Sequence, residues 1–257
     1  MKSRAEFIHC ENKKGIIGRE RIHLAKTDST NTWLLKRPHL LKIEGLVVYA
    51  DEQTAGRGSK GRSWLSLSGE QLFCSVALHP RLMPSQLPSL TLFVGVAVAQ
   101  GLTRLGVKDI GLKWPNDILL NHKKIGGILC EAAQPGGQER PWVVVGIGLN
   151  LQGQPEATIL HTATSLKEAG YSISRNTVLN AILWTLNGIY SQIQKQNLSH
   201  LMELWRAHSH TLGKNVKIVG GETEIMGKAL NISEHGALLI ETADGVVEVN
   251  HGSLFYL

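Results

Sequence analysis

The sequence predicts an α+β fold, a domain of roughly 210 residues with a small β-barrel attached over 211–257. Three observations carry this. Strand-like and helix-like periodicities interleave as far as Thr211. The last 47 residues hold five short β-type runs separated by glycine turns. A chain of 257 residues, 42% hydrophobic and 19% charged, has apolar material for a large core and a smaller one.

From the N-terminus, "RIHLAK" (21–26) alternates as a strand, and Asp28 and Ser29 are N-cap types ahead of the apolar face of a short helix over 28–37. "GLVVYAD" (45–51) and "QLFCSVALHP" (71–80) are strands flanking a glycine-rich stretch. Pro84 to Gly106 has helical spacing, with Gly106 at the C′ position. Strands are expected over 110–121 (a pair), 125–133 and 142–151, with "NHKK" (121–124) as a hairpin turn. An amphipathic helix spans 175–196, and 198–208 is its helical neighbour. The terminal runs are "NVKIV", "EIMGKALNI", "ALLIET", "VVEVN" and "SLFYL", punctuated at Gly221, Gly236, Asp244-Gly245 and His251-Gly252.

Bulk properties narrow the function classes. A net charge of +6 suits an anionic ligand or a nucleic acid without establishing either. Aromatics are only 5% and form no stacking stripe on a basic face, which argues against a nucleic-acid-binding module. Cys10, Cys74 and Cys130 are odd in number and widely spaced, so they imply neither a disulfide framework nor a metal site. The N-terminus lacks the apolar segment of a signal peptide, and the longest apolar run, 92–99, is too short for a bilayer. The expected location is cytoplasmic, away from membranes.

Chemistry concentrates in a few places. Gln53–Trp64, "QTAGRGSKGRSW", packs three glycines and three cations into twelve residues. It comes within one residue of a Walker P-loop, but the next residues, "WLSLSGEQLFCSVAL", alternate like a strand, whereas a P-loop must open a helix. A pliable cationic loop for a polyanion remains, against a merely solvated surface loop. "LKWPNDILL" (112–120) gathers Lys113, Asn116 and Asp117 around Pro115 between two strands, as a turn or as a nucleotide or Mg²⁺ site. Lys124 stands before the paired glycines 126 and 127, as a hairpin lysine or as an ammonium aimed at a carboxylate or α-phosphate. "GIGLNL" (146–151) ends an apolar strand at Asn150, and its glycines fit either a close ligand or a bulge. Ser29-Thr30-Asn31 alone would be a helix cap. Glu131 has no assignable role.

Taken together, "DSTN" (28–31), "QTAGRGSKGRSW", "KWPNDILL", "KKIGGILCE" (123–131) and "GIGLNL" resemble the biotin protein ligases in order and spacing, and the resemblance spans residues 20–257. It implies a class II synthetase-like catalytic domain (1–210) and an SH3-like C-terminal barrel (211–257). The implied reaction uses ATP and Mg²⁺ to convert biotin to biotinyl-AMP, then transfers biotin to a lysine of a biotin carboxyl carrier protein. Carried across by position, Ser29, Thr30 and Gln53 would hydrogen-bond the ureido ring beside Asn31. Gly56, Arg57, Gly58 and Ser59 would form the loop over carboxylate and phosphate. Lys124 and Gly127 would also bind the biotin, and Lys124 would be the main electrostatic catalyst together with Arg57. Lys60, Arg62, Trp64, Lys113, Asn116, Asp117 and Asn150 would lie on the nucleotide side, with Asp117 the candidate metal ligand.

One position departs. Ser59 stands where familiar members have arginine, a residue that helps retain the adenylate, so either Lys60 substitutes or the intermediate escapes more readily. The first core strand starts near Arg21, leaving no room for the winged helix-turn-helix of repressor-type members, so no operator binding is expected. A homodimer stays open. The rival within the superfamily is a lipoate ligase or octanoyl transferase, against which "GRGSKGRSW" and "KWPND" both speak.

Overall fold

The computed structural model describes residues 5–9, 15–64, 71–133, 140–153, 162–220 and 223–257. Cys10, the strand-like alternation of 65–70 and the Gly221 turn lie outside the described residues. Eight strands form one sheet: β1 (Ala5–His9), β2 (Glu20–Thr27), β3 (Val47–Gln53), β4 (Gln71–Leu78), β5 (Ile110–Lys113), β6 (Asp117–Leu120), β7 (Lys123–Ala133) and β8 (Trp142–Asn150). Their order is β1-β2-β3-β4-β8-β7-β6-β5, antiparallel throughout except for the parallel β2–β3 pair. The helices are α1 (Thr30–Leu35), α2 (Pro38–Leu41), α3 (Leu87–Arg104), α4 (Arg175–Gln194) and α5 (Leu198–His208). β9 (Asn215–Gly220), β10 (Thr223–Ile232), β11 (Leu238–Thr242), β12 (Gly245–Val249) and β13 (Ser253–Tyr256) build a second, wholly antiparallel sheet in the order β12-β11-β10-β9-β13, consistent with a small barrel.

The large sheet is covered on both faces, which explains why its central strands are nearly continuously apolar. On one face Val143, Val145, Ile147 and Leu149 join Cys74, Val76 and Leu78 beneath α3, α4 and α5. On the other, Val144, Ala77, Val48 and Ala50 pack with Trp33, Leu34 and Leu41 of α1 and α2. α3 is sandwiched by α4 and α5. The segment Pro84–Arg104 meets the length and composition of a membrane span (mean hydropathy 1.3), yet 67% of that window is buried inside the protein, as befits a core helix. Cys74 is fully buried there, its thiol pushed up to about 12 by burial.

Nearly every element stands where periodicity places it. Gly106, at φ 84°, follows α3 as the left-handed C′ residue. The β6–β7 turn uses Asn121 and His122, both at positive φ (49° and 64°), as a tight hairpin requires. β1 is the strand that the sequence does not announce. It lies at the sheet edge with its residues exposed apart from half-buried Ile8, so no buried face imprints a period on it.

Candidate active site

The site lies where the α1 face of the large sheet loses its side chains. Along β8, even-numbered residues face α1: Trp142 and Val144 fill the core there, and then Gly146 and Gly148 leave a floor of bare backbone. Cross-strand pairing puts Phe73 and Gly127 beside Gly148, and Ser75 and Leu129 beside Gly146, all on one face. Pairing runs without a break from Gln71–Asn150 to Leu78–Val143, so these glycines do not mark a bulge. Their reason is occupancy. A Cβ at Gly146 would stand 2.4 Å from Asn31 Oδ1, and one at Gly148 would stand 3.0 Å from the Trp64 ring. Above this floor opens a cleft of roughly 200 Å³.

One wall is the start of α1. Ser29 caps the helix, its hydroxyl accepting from Thr32 N at 3.5 Å. Gln53 Oε1 accepts from both Thr30 N (2.8 Å) and Thr30 Oγ1 (3.1 Å). Buried Ser75 places its hydroxyl 2.7 Å from Thr30 Oγ1 and 2.5 Å from Asn31 Oδ1. Asn31 gives its two N–H groups to Leu129 O (3.2 Å) and Glu131 Oε2 (2.9 Å). Asn31 therefore braces the site and has no free amide proton for a ligand.

The opposite wall is the glycine-rich loop, closed on itself by a bridge between Arg57 and Ser63 and by Trp64 N donating to Gly56 O at 2.8 Å. Lys60 (φ 60°) and Gly61 (φ 71°) make its left-handed tip. Arg57 binds Glu131 at 2.7 Å. Arg62 folds back onto Ser59, at 3.0 Å to Oγ. Trp64 lies over Gly127 and Gly148, its indole N–H buried and without an acceptor among the described residues.

A bulge in β7 supplies the remaining wall. Pairing with β6 runs Asp117–Gly127 and Ile118–Gly126, then skips Ile125 to resume at Leu119–Lys124. The extra residue turns Ile125 into the core and re-aims Lys124 onto the Asp117 face, where its Nζ meets Asp117 Oδ1 at 2.5 Å. Without the bulge this lysine would point through the sheet. Asn116 donates to Ile128 O at 3.0 Å and reaches Ser59 Oγ at 3.5 Å.

Of the residues picked from sequence, Ser29, Thr30, Asn31, Gln53, Arg57, Gly58, Ser59, Arg62, Trp64, Asn116, Lys124 and Gly127 line this cleft. Five stand outside its lining. Gly56 is pressed beneath Trp64 O, 2.7 Å from where a Cβ would be. Asp117 acts on the cleft only through Lys124. Asn150 spends its amide on Thr164 O at 3.0 Å. Lys113 faces the Tyr256 ring at 4.9 Å, and burial, reinforced by Lys124 and Arg62, pulls its ammonium below the usual lysine range despite Asp117. Lys60 turns away to Val219 O (3.3 Å) and Ser253 Oγ (3.4 Å), lining a second cavity against the C-terminal sheet. In this arrangement its ammonium faces away from the cleft beside Ser59.

Sequence reasoning misses Ser75 and Glu131. The first is hidden inside a buried run and the second lies far along the chain from its partners; only sheet register shows either. Among the described residues no group of three or more His, Cys, Asp or Glu could hold a metal ion.

Comparison with known proteins finds relatives along most of the chain. Residues 24–150 match the Biotin/lipoate A/B protein ligase family, and residues 211–255 match the Biotin protein ligase C terminal domain. The "Bifunctional ligase/repressor BirA" of Bacillus subtilis is 36% identical over 210 residues, covering 80% of this chain and 64% of that protein. The chain thus spans under two thirds of that relative's length. The "Biotin--[acetyl-CoA-carboxylase] ligase" of Mycobacterium tuberculosis is 35% identical over 91% of this chain and 88% of its own. The biotin protein ligase of Aquifex aeolicus, solved in complex with biotin and ATP, superposes with a TM-score of 0.80 at 31% identity, covering 92% of this chain and 98% of that one.

Proposed function

Because this chain belongs to the biotin protein ligase family, we propose that its cleft activates biotin with ATP and passes the biotinyl group to a carrier lysine. In the first step a biotin carboxylate oxygen attacks the α-phosphorus, forming biotinyl-AMP and breaking the bond to pyrophosphate. In the second, a lysine amine of a biotin carboxyl carrier protein attacks the acyl carbon, expels AMP and loses a proton. The single observation that carries this reading is the bulge-aimed Lys124 lining one cleft with Arg57 and Arg62 above a glycine floor. Carboxylate and triphosphate repel each other, and cations fixed around a bare backbone let both approach.

Position supports the following roles. The α1 wall, with Ser29, Thr30 and Gln53, would receive the ureido ring. Arg57, Gly58 and Lys124 would hold carboxylate and α-phosphate, and Trp64, Arg62 and Asn116 the nucleotide. Lys113, Asp117, Lys60 and Asn150 lie at the margins, where they would act on the nucleotide by charge or through neighbours. Among the described residues no cluster of donors would cage a metal and Asp117, the metal candidate of the sequence, is engaged by Lys124, so a magnesium ion would arrive on the triphosphate and neutralise its charge there. Residues 1–210 would carry the chemistry and 211–257 would form the appended barrel, in a cytoplasmic enzyme.

Incubation with biotin, ATP, Mg²⁺ and a biotin carboxyl carrier domain, read by intact mass, should add one biotinyl group, and lipoate should add nothing. A gain with lipoate, or none with biotin, would overturn the reading. The loop's departure at Ser59 makes a finer prediction. Arg62 covers Ser59, so one guanidinium serves where an arginine at 59 would add a second, and less charge holds the adenylate. Ser59→Arg should cut the free biotinyl-AMP released without acceptor severalfold; equal release from both proteins would refute it.

A further inference from the structure

We infer that Glu131 is a positioning residue, acting through Arg57. The inference rests on the adenylation reading and assigns a role to a carboxylate that nothing in the sequence explains. Glu131 sits on β7 opposite Val144, on the cleft face, with its side chain only 19% exposed. Its two oxygens are divided. Oε2 accepts from Asn31 at 2.9 Å, and Oε1 accepts from Arg57 Nη2 at 2.7 Å.

The Asn31 end is fixed. Asn31 also donates to Leu129 O, is met by the buried Ser75 hydroxyl, and occupies the space over Gly146 that a Cβ would fill. The carboxylate is therefore held by the sheet and by α1, whereas Arg57 belongs to the loop and is 48% exposed. A flexible cation meeting a fixed anion is positioned by it, not the reverse. Arg57 lends one N–H to Glu131 and another, at 3.4 Å, to Thr32 Oγ1, which leaves the rest of its five donors for an anion in the cleft. Glu131 thus sets the angle at which the loop presents its guanidinium.

The test is a double-mutant cycle on adenylation, followed as biotin-dependent pyrophosphate release by the full chain. Glu131→Gln preserves side-chain volume and an oxygen for Asn31 but removes the charge. It should lower kcat/KM for biotin about tenfold, the scale of one charge-assisted hydrogen bond. In an Arg57→Ala background the same substitution should change kcat/KM less than about twofold, since the group it positions is gone. Losses that multiply in the double variant would overturn the inference, as would a Glu131→Gln enzyme equal to wild type. A thermal melt separates a structural role, which would lower Tm in both backgrounds alike. If Gln at 131 prevents folding, Glu131→Asp carries the same cycle, keeping the charge but withdrawing it by one methylene. Wild type that releases no pyrophosphate with biotin would defeat the proposed function itself, a different result from a cycle that fails to couple.

Discussion

Lys124→Ala should slow biotinyl-AMP formation by two to three orders of magnitude, about what is lost when a preorganised donor is removed from a developing anion. The size reflects what the alanine leaves behind. Lys124 and Asp117 are held together at 2.5 Å on the cleft face. Removing the ammonium deletes a cation and also uncovers a carboxylate, so the incoming phosphate meets repulsion where it met attraction. A second substitution separates the two effects. Lys124→Ala with Asp117→Asn should recover about tenfold of the loss relative to Lys124→Ala alone, equivalent to ~1.4 kcal/mol of relieved like-charge contact. The fold should survive, because the Lys124 side chain is one-third exposed and anchors no core cluster. Burst measurements of pyrophosphate release decide it. Near-normal adenylation in Lys124→Ala would refute the assigned role; so would a double variant no faster than the single one.

That lysine also shows where a sequence stops being legible. The order of strands and helices can be read because burial stamps a period on the chain: the valine runs of β8, the spacing of α3 and α4, and the turn residues of the C-terminal sheet. Residues joined to a turn or a cap are likewise visible, since Ser29 and the glycine-rich loop announce themselves locally. Register is not visible. The bulge at Ile125 adds one residue to one strand, and no local pattern distinguishes it from regular pairing, yet it decides which face Lys124 occupies. Gly146 and Gly148 are ambiguous for the same reason: a bulge and a ligand floor look alike until the partner strand is known. Glu131, Asn31 and Arg57 form one network although Glu131 is 74 residues from Arg57 and 100 from Asn31. A single sequence carries no trace of such a contact; it exists only once β7, β8 and β4 are aligned. Lys60 groups in sequence with the other loop cations, but the left-handed tip separates it from them and turns it toward the C-terminal sheet.

The second large effect concerns how that sheet is joined to the rest. Trp114→Ala should reduce unfolding free energy by about 3–5 kcal/mol, the range for truncating a buried tryptophan. Trp114 is 1% exposed and among the largest fully buried side chains. Its indole N–H donates to Gly236 O at 3.0 Å, and its backbone N–H donates to Thr211 Oγ1 at 2.9 Å, so both ends of the residue reach across to the chain beyond α5. The turn it holds is itself tight, since a Cβ at Gly236 would stand 2.9 Å from Ser89 Cα at the start of α3. One continuous core includes Trp114 together with Val216, Ile218, Leu238 and Ile240 of the second sheet. Unfolding in urea should therefore remain a single transition with an unchanged m-value in the wild type and in a milder variant, Trp114→Phe. The phenylalanine keeps most of the ring volume but strands the Gly236 carbonyl, at a cost of about 1–3 kcal/mol. A loss below about 1 kcal/mol, or a second sheet that melts separately in the wild type, would show that the indole does not join the two sheets. Trp114 also precedes Pro115 and Asn116 at the cleft edge, so a loosened joint should raise KM for ATP in Trp114→Phe even at temperatures where that variant is fully folded.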